Sequence, residues 1–245
     1  MRDPMMVRQP PRRPARKQER WVPFLQRCPL FECVGAADLA VLLGSARQYA
    51  VPRGGFFFLE GDPPNQVNVL IRGKIRLIRS GPQGREAMLG FIEPGEPFGY
   101  VATWAGTPHR VSAQAAQASQ AFAWDAATIS RLMAKHPGVA LRGLRLVAQH
   151  IEGSWDRLED LTTGRVEWRI ARALLRLAHL IEPPTDAGST ITLEVREQDL
   201  AELVGSTAYT VSRILSAWKR TGIVGVRREH VLLRKPHLLR EITPD

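Results

Sequence analysis

"LVGSTAYTVSRILSAWKRTG", Leu203–Gly222, places a glycine and small hydroxyl residues ahead of a stretch with helical periodicity. Val211, Ile214, Leu215 and Trp218 recur at the three- and four-residue spacing of one buried helix face. Ser206 or Thr207 is placed to cap that helix, because a hydroxyl can accept from the free N–H groups of the first turn. Upstream, "REQDLAELVG" reads as a shorter helix ended by Gly205, so the two form a helix-turn-helix. Downstream, "GIVGV", "RREH" and "VLLR" read as two short strands joined by a basic turn, a wing.

The face left over is the informative one. Tyr209, Ser212, Arg213, Lys219 and Arg220 point away from the apolar stripe, Thr207 at the start of the helix is a further DNA-binding candidate, and Arg228 lies in the wing turn. A helix that packs one face on its own domain can lay the other in the major groove of double-stranded DNA. Arg213 can donate twice to guanine O6 and N7, and Ser212 can reach a base edge or a phosphate. Tyr209 can bond a phosphate or touch a thymine methyl. Lys219, Arg220 and Arg228 suit backbone phosphates, which supply affinity without sequence information. Arg213, Lys219, Arg220, Arg227, Arg228, Arg234, Lys235 and Arg240 make this the second basic cluster of the chain, interrupted mainly by Glu229.

Charge supports the same reading. The 245 residues carry a formal net charge of +10, which points to an anionic partner. The other basic cluster is the opening segment 1–20, rich in Arg and Pro and poor in apolar residues, and we read it as a disordered tail. No apolar run is long enough to span a bilayer and no apolar signal segment opens the chain, so the expectation is a cytoplasmic protein without a membrane partner. Cys28 and Cys33, the two cysteines, do not make a disulfide scaffold and are expected to be buried.

Residues 21–136 read as a sensor-type domain. From Ser45 to Asp125 short apolar or alternating runs ("ARQYAV", "FFFL", "VNVLI", "AMLGFI") alternate with turns, as in an antiparallel sandwich. Gly61-Asp62 and Arg72-Gly73 are expected as tight turns, and Asn65 to Arg79 as a hairpin. His109 is the one histidine of the sheet region, Ser45 to Asp125, too few for a metal site, and no nucleophile–base pair is evident. An enzyme is therefore not expected.

Residues 137–163 predict a long helix. Leu141, Leu144, Ala148, Ile151, Trp155, Leu158 and Thr162 alternate three and four apart, the seam of a two-stranded coiled coil. Leu144, Ala148, Ile151, Trp155 and Leu158 are the expected interface of a parallel homodimer. Residues 164–245 then form the winged helix-turn-helix domain, opened by the amphipathic helix "VEWRIARALLRLAHLI". The fold class is α+β: an N-terminal antiparallel β-sandwich or jelly roll, a long dimerisation helix and a C-terminal winged helix.

In this order the motifs resemble the Crp/Fnr family of transcription regulators. "YAVPRGGFFFLEGDPPNQVNVLIRGKIRLI" resembles the start of the family's cyclic-nucleotide-binding-like sandwich, "RIARALLRLA" the helix leading into its DNA-binding domain, and "DLAELVGSTAYTVSRIL" its helix-turn-helix. The similarity runs from about Leu25 to Leu239. It implies a homodimer on a palindromic site, an effector signal carried by the dimer helix, and RNA polymerase as a further partner.

Two departures qualify the resemblance. Where the family often carries Arg-Glu before Thr-Val-Ser-Arg, this chain has Ala208 and Tyr209, which implies a different base pair at that position. Cyclic-nucleotide-binding members carry Phe-Gly-Glu-Leu and a later Arg-Ser pair. Here "PFGYVA" and "PHRVSA" put Tyr100 in place of the glutamate and His109-Arg110 at the pair. Phe98, Gly99, Tyr100, His109 and Arg110 remain the effector-pocket candidates, with cyclic AMP disfavoured. The cofactor and effector are unknown from sequence, and two cysteines are too few for an iron–sulfur cluster. An effector-independent regulator, with the sandwich only a dimer scaffold, is the alternative.

Overall fold

The computed structural model describes residues 19–81, 86–181, 190–227 and 230–243. The predicted tail thus lies outside the described residues, except that Glu19–Trp21 forms a 3-10 turn. The chain divides into two compact units, 1–151 and 152–245. That division falls inside one helix, not at either end of it.

The first unit is a two-sheet sandwich with helices at its flank. One sheet has the order β1-β8-β3-β6, from β1 (Arg47–Val51), β8 (Ser119–Asp125), β3 (Gln66–Arg72) and β6 (Pro97–Phe98). The other has the order β2-β7-β4-β5, from β2 (Phe56–Phe58), β7 (Ser112–Ala115), β4 (Ile75–Ser80) and β5 (Glu86–Ile92). All their pairings are antiparallel. The two-residue period of β3 sorts its side chains. Val67, Val69 and Ile71 join a core with α1 (Val22–Leu25), α2 (Ala36–Ser45) and α4 (Ala126–Lys135), while Leu70 joins the core between the sheets. Trp124 seals the helical core by donating from Nε1 to the Leu42 carbonyl at 2.8 Å. Asp125 caps α4, its carboxylate accepting from the Thr128 amide at 2.7 Å, and that bond holds its pKa low.

The expected hairpin over Asn65–Arg79 is not formed. β3 and β4 belong to different sheets, because the chain turns a corner at Gly73 instead of folding back. Gly73 has φ +92° and a Cβ there would lie 2.3 Å from Ser119 Oγ, so the crossing needs glycine. Cys28 is buried as expected, its thiol pushed up to about 12 by desolvation, but Cys33 is exposed. Helices α1, α2, α3 (Tyr100–Ala105) and α4 of this unit were not anticipated from the sequence.

Helix α5 (Pro137–Thr163) has the predicted extent. Val139, Leu146 and Val147 pack on the helical core of the first unit. Gly143 admits the Trp104 ring of α3, which a Cβ would meet at 2.5 Å.

The second unit opens with α6 (Val166–Ile181), followed after the segment 182–189 by β9 (Ile191–Leu193), α7 (Glu197–Leu203) and α8 (Ala208–Arg220). β10 (Val224–Arg227) and β11 (His230–Leu233) pair antiparallel, and β11 also pairs with β9, so the wing is a three-stranded sheet. A closing helix, α9 (Pro236–Ile242), was not anticipated and buries Leu239.

Candidate functional site

The helix-turn-helix is built by short-range bonds. Gly205 takes φ +61°, and the Ser206 amide donates to the Ala201 carbonyl at 2.9 Å, which ends α7. Thr207, not Ser206, is the N-cap of α8: its Oγ1 accepts from the Thr210 amide at 3.2 Å. Arg196 grips the buried carboxylate of Asp199 with two bonds, Nε to Oδ2 at 2.8 Å and Nη2 to Oδ1 at 2.5 Å, anchoring the start of α7. The sequence reading missed this pair.

α8 then divides as its periodicity requires. Val211, Ile214, Leu215 and Trp218 are buried. Thr207, Tyr209, Arg213, Lys219 and Arg220 are exposed and Ser212 is half-buried. Tyr209 is 80% exposed, an unusual position for a large aromatic ring. Lys219 and Arg220 also sit in the last turn, where cations complement the helix dipole. Arg227, Arg234, Lys235 and Arg240 add exposed positive charge to the same unit. Arg228 lies outside the described residues.

The sandwich interior gathers some of its candidate residues and disperses others. The Phe58 ring stacks on His109 with centroids 3.7 Å apart and lies 6.2 Å from the Phe98 ring. Gly99 has φ +79° and approaches so closely that a Cβ would meet Asn68 Nδ2 at 3.0 Å. Asn68 is fully buried, with Nδ2 donating to the Phe98 carbonyl at 3.4 Å and Oδ1 without a hydrogen-bond partner among the described residues. Phe98, Gly99 and His109 therefore come together around Phe58 and Asn68. Leu70, Ile75, Ile92, Ala113 and Ala121 fill the space beyond.

Tyr100 belongs elsewhere. Its ring joins the helical core, and its hydroxyl lies 3.2 Å from His150 Nδ1 on α5. Burial, with the charge of Glu96, pushes its pKa up to about 12. Arg110 is exposed. His109 is held below its ordinary pKa by desolvation, against the opposing charge of Asp62. Desolvation thus disfavours the charged form of this ring.

The third feature is the outer face of α5. Leu141, Leu144, Ile151, Trp155 and Leu158 are exposed large apolar side chains, Trp155 at 67%, and Ala148 is exposed in the same row.

A sandwich, a long helix with an open apolar seam and a winged helix-turn-helix define a DNA-binding transcription regulator with a sensor-type domain. Residues 49–136 match the cyclic nucleotide-binding domain family, and residues 168–242 match the Crp-like helix-turn-helix domain family. The chain is 27% identical to the CRP-like cAMP-activated global transcriptional regulator of Mycobacterium tuberculosis, over 86% of this chain and 94% of that protein. It is 28% identical to the cyclic AMP receptor protein of Thermus thermophilus, over 87% and 96%. The crystal structure of the Thermus thermophilus catabolite activator protein superposes with a TM-score of 0.51, 28% identity and coverage of 87% and 97%. FixK2 from Bradyrhizobium japonicum shares the fold at TM-score 0.72 and 22% identity, over 82% and 98%. The chain belongs to the Crp/Fnr family of transcription regulators, whose members bind DNA and act as dimers.

Proposed function

We propose that this protein is a homodimer, paired in parallel through the α5 seam, that reads a palindromic DNA site with α8 and answers to an effector other than cyclic AMP. The observation that carries the DNA reading is α8 itself: four apolar residues buried, and Tyr209, Arg213, Lys219 and Arg220 left on the opposite face. Arg213 and Ser212 read bases, while Thr207, Lys219 and Arg220 hold phosphates, joined by Arg228 of the wing. Tyr209 sets the half-site apart from that of relatives with a glutamate there, since a phenol cannot accept from cytosine N4 as a carboxylate does. A role on DNA fits a cytoplasmic protein and calls for no enzymatic activity. Occupancy must in turn change the access or recruitment of RNA polymerase, the remaining partner.

Against cyclic AMP stand His109, whose charged form desolvation disfavours, the exposed Arg110 and the engagement of Tyr100 with His150. A phosphate brought into the interior would lose water without a paired cation, and each polar group left unpaired costs about 1–3 kcal/mol. The apolar filling between the sheets favours a second reading, an effector-independent regulator with the sandwich as scaffold.

The test is selection of bound duplexes from a random-sequence library, followed by titration with cyclic AMP. The expected result is a palindrome bound equally with and without the nucleotide. Micromolar cyclic AMP binding that tightens DNA binding would restore the cyclic-nucleotide reading. Mass spectrometry of gently purified protein separates a bound effector from a scaffold.

A further inference from the structure

The corner between α5 and α6 holds a buried carboxylate that none of the roles above uses. Asp160, in the last turn of α5, is 3% exposed. Its Oδ1 accepts from Arg172 Nη1 at 2.6 Å and its Oδ2 from Arg176 Nη1 at 2.8 Å. Arg172 and Arg176 stand one turn apart on α6, so the carboxylate grips that helix at two points on one face. Two residues, Gly164 and Arg165, connect the helices. The Gly164 amide donates to the Asp160 carbonyl at 3.0 Å, and a Cβ at Gly164 would lie 2.7 Å from that oxygen. Asp160 thus fixes the corner through its backbone and its side chain together. Arg157, whose Nε donates to the Gly153 carbonyl at 3.0 Å, has its pKa lowered by burial and by the charge of Arg176, so the corner concentrates positive charge around this acid.

We propose that Asp160, with Arg172 and Arg176, is a positioning group that sets the angle at which α6 leaves the dimer helix, and so fixes the half-site spacing that the dimer accepts. The inference rests on the palindrome-binding dimer proposed above. Leverage supplies the reason: α6 has 16 residues and is about 24 Å long at 1.5 Å per residue. A swing of about 10° at the corner moves its far end by about 4 Å, more than the ~3.4 Å rise of a base pair. A two-residue link without the clamp has that freedom.

The test uses the full chain and the half-site selected by the wild type, presented once, or twice with the best spacer and with one base pair more or less. The wild type is expected to lose about tenfold in affinity per base pair of misplacement. Asp160→Asn should flatten this to about threefold or less, with unchanged affinity for the single half-site and unchanged sedimentation as a dimer. Arg176→Gln, which leaves Asp160 one partner, should flatten the profile by an intermediate amount and decides the matter if Asp160→Asn does not fold. Variants that keep the wild-type spacer profile overturn the clamp, as does loss of single half-site binding in step with the profile, which marks a purely structural role. A wild type with no spacer preference overturns the palindrome-binding dimer itself, and the clamp with it.

Discussion

Helices α5 and α8 obey the same rule on one side and opposite rules on the other. Each packs an apolar stripe on a core: Val139, Leu146 and Val147 of α5 on the helical core of the first unit, and Val211, Ile214, Leu215 and Trp218 of α8 within the second. The free faces differ. α5 shows water Leu141, Leu144, Ile151, Trp155 and Leu158, whereas α8 shows it Tyr209, Arg213, Lys219 and Arg220. Exposed apolar surface is removed from water best by a second apolar stripe of the same pitch, and the nearest source of one is another copy of the chain. Exposed guanidinium and ammonium groups keep their water until a phosphate or base edge replaces it. The difference in side chains, not in backbone, separates an apolar free face on α5 from a charged one on α8.

The comparison is most easily broken at the seam. Ile151→Asp or Leu158→Asp would place a carboxylate where the partner's stripe must lie, unpaired and out of water. A charge so placed costs about 3 kcal/mol or more, a weakening of over about a hundredfold in dimer affinity. Palindrome binding should fall with it, and sedimentation should show monomers. Unchanged dimers would mean that the seam of α5 is not the interface.

The next effect is sharper and smaller. Arg213→Ala should weaken the specific site by about 1–3 kcal/mol and leave random DNA nearly unaffected. Equal losses on both, measured by titration at one salt concentration, would assign Arg213 to the backbone. Lys219→Ala is the complement. It should lower affinity for every sequence by a similar small factor, and reduce the slope of log K against log salt by about one. A sequence-dependent loss would bring Lys219 into base readout.

Both faces were legible in the sequence because each depends on periodicity within one helix. The seam needs only residues three and four apart, and so does the division of α8. The helix cap was legible to within a residue, since Ser206 and Thr207 are chemically alike and only the turn at Gly205 selects Thr207. The Asn65–Arg79 hairpin failed for a physical reason. A glycine turn between apolar runs looks the same whether the strands pair or pass to opposite sheets, and what decides it here is contact with Ser119, 46 residues on from Gly73. Asp160 and its arginines were not legible either, since an acid in a charged helix gives no sign that it will be buried among residues 12 and 16 further on. Asn68 was hidden in the same way, a polar residue in the apolar run of β3.

His109 is the inverse of the α5 seam, a polar ring withdrawn from water where the seam is apolar surface given to it. Its pKa is lowered in the folded state by desolvation, with Asp62 opposing. The folded protein therefore binds a proton there less readily than the unfolded chain, whose histidine titrates near 6.5. Stability follows the protons: where the unfolded state holds more of them, stability falls as pH falls. The contribution of His109 is thus complete above about pH 6.5 and is lost progressively as pH drops through the unfolded value toward the folded one. His109→Gln keeps a polar side chain of similar reach and removes the titration. It should flatten the decline in denaturant midpoint between neutral pH and about pH 5, relative to the wild type, while changing the unfolding free energy at pH 8 by about 1 kcal/mol or less. Equal slopes in the two proteins would show that His109 keeps its proton equilibrium on folding, and that the interior is wetter than the stack on Phe58 implies.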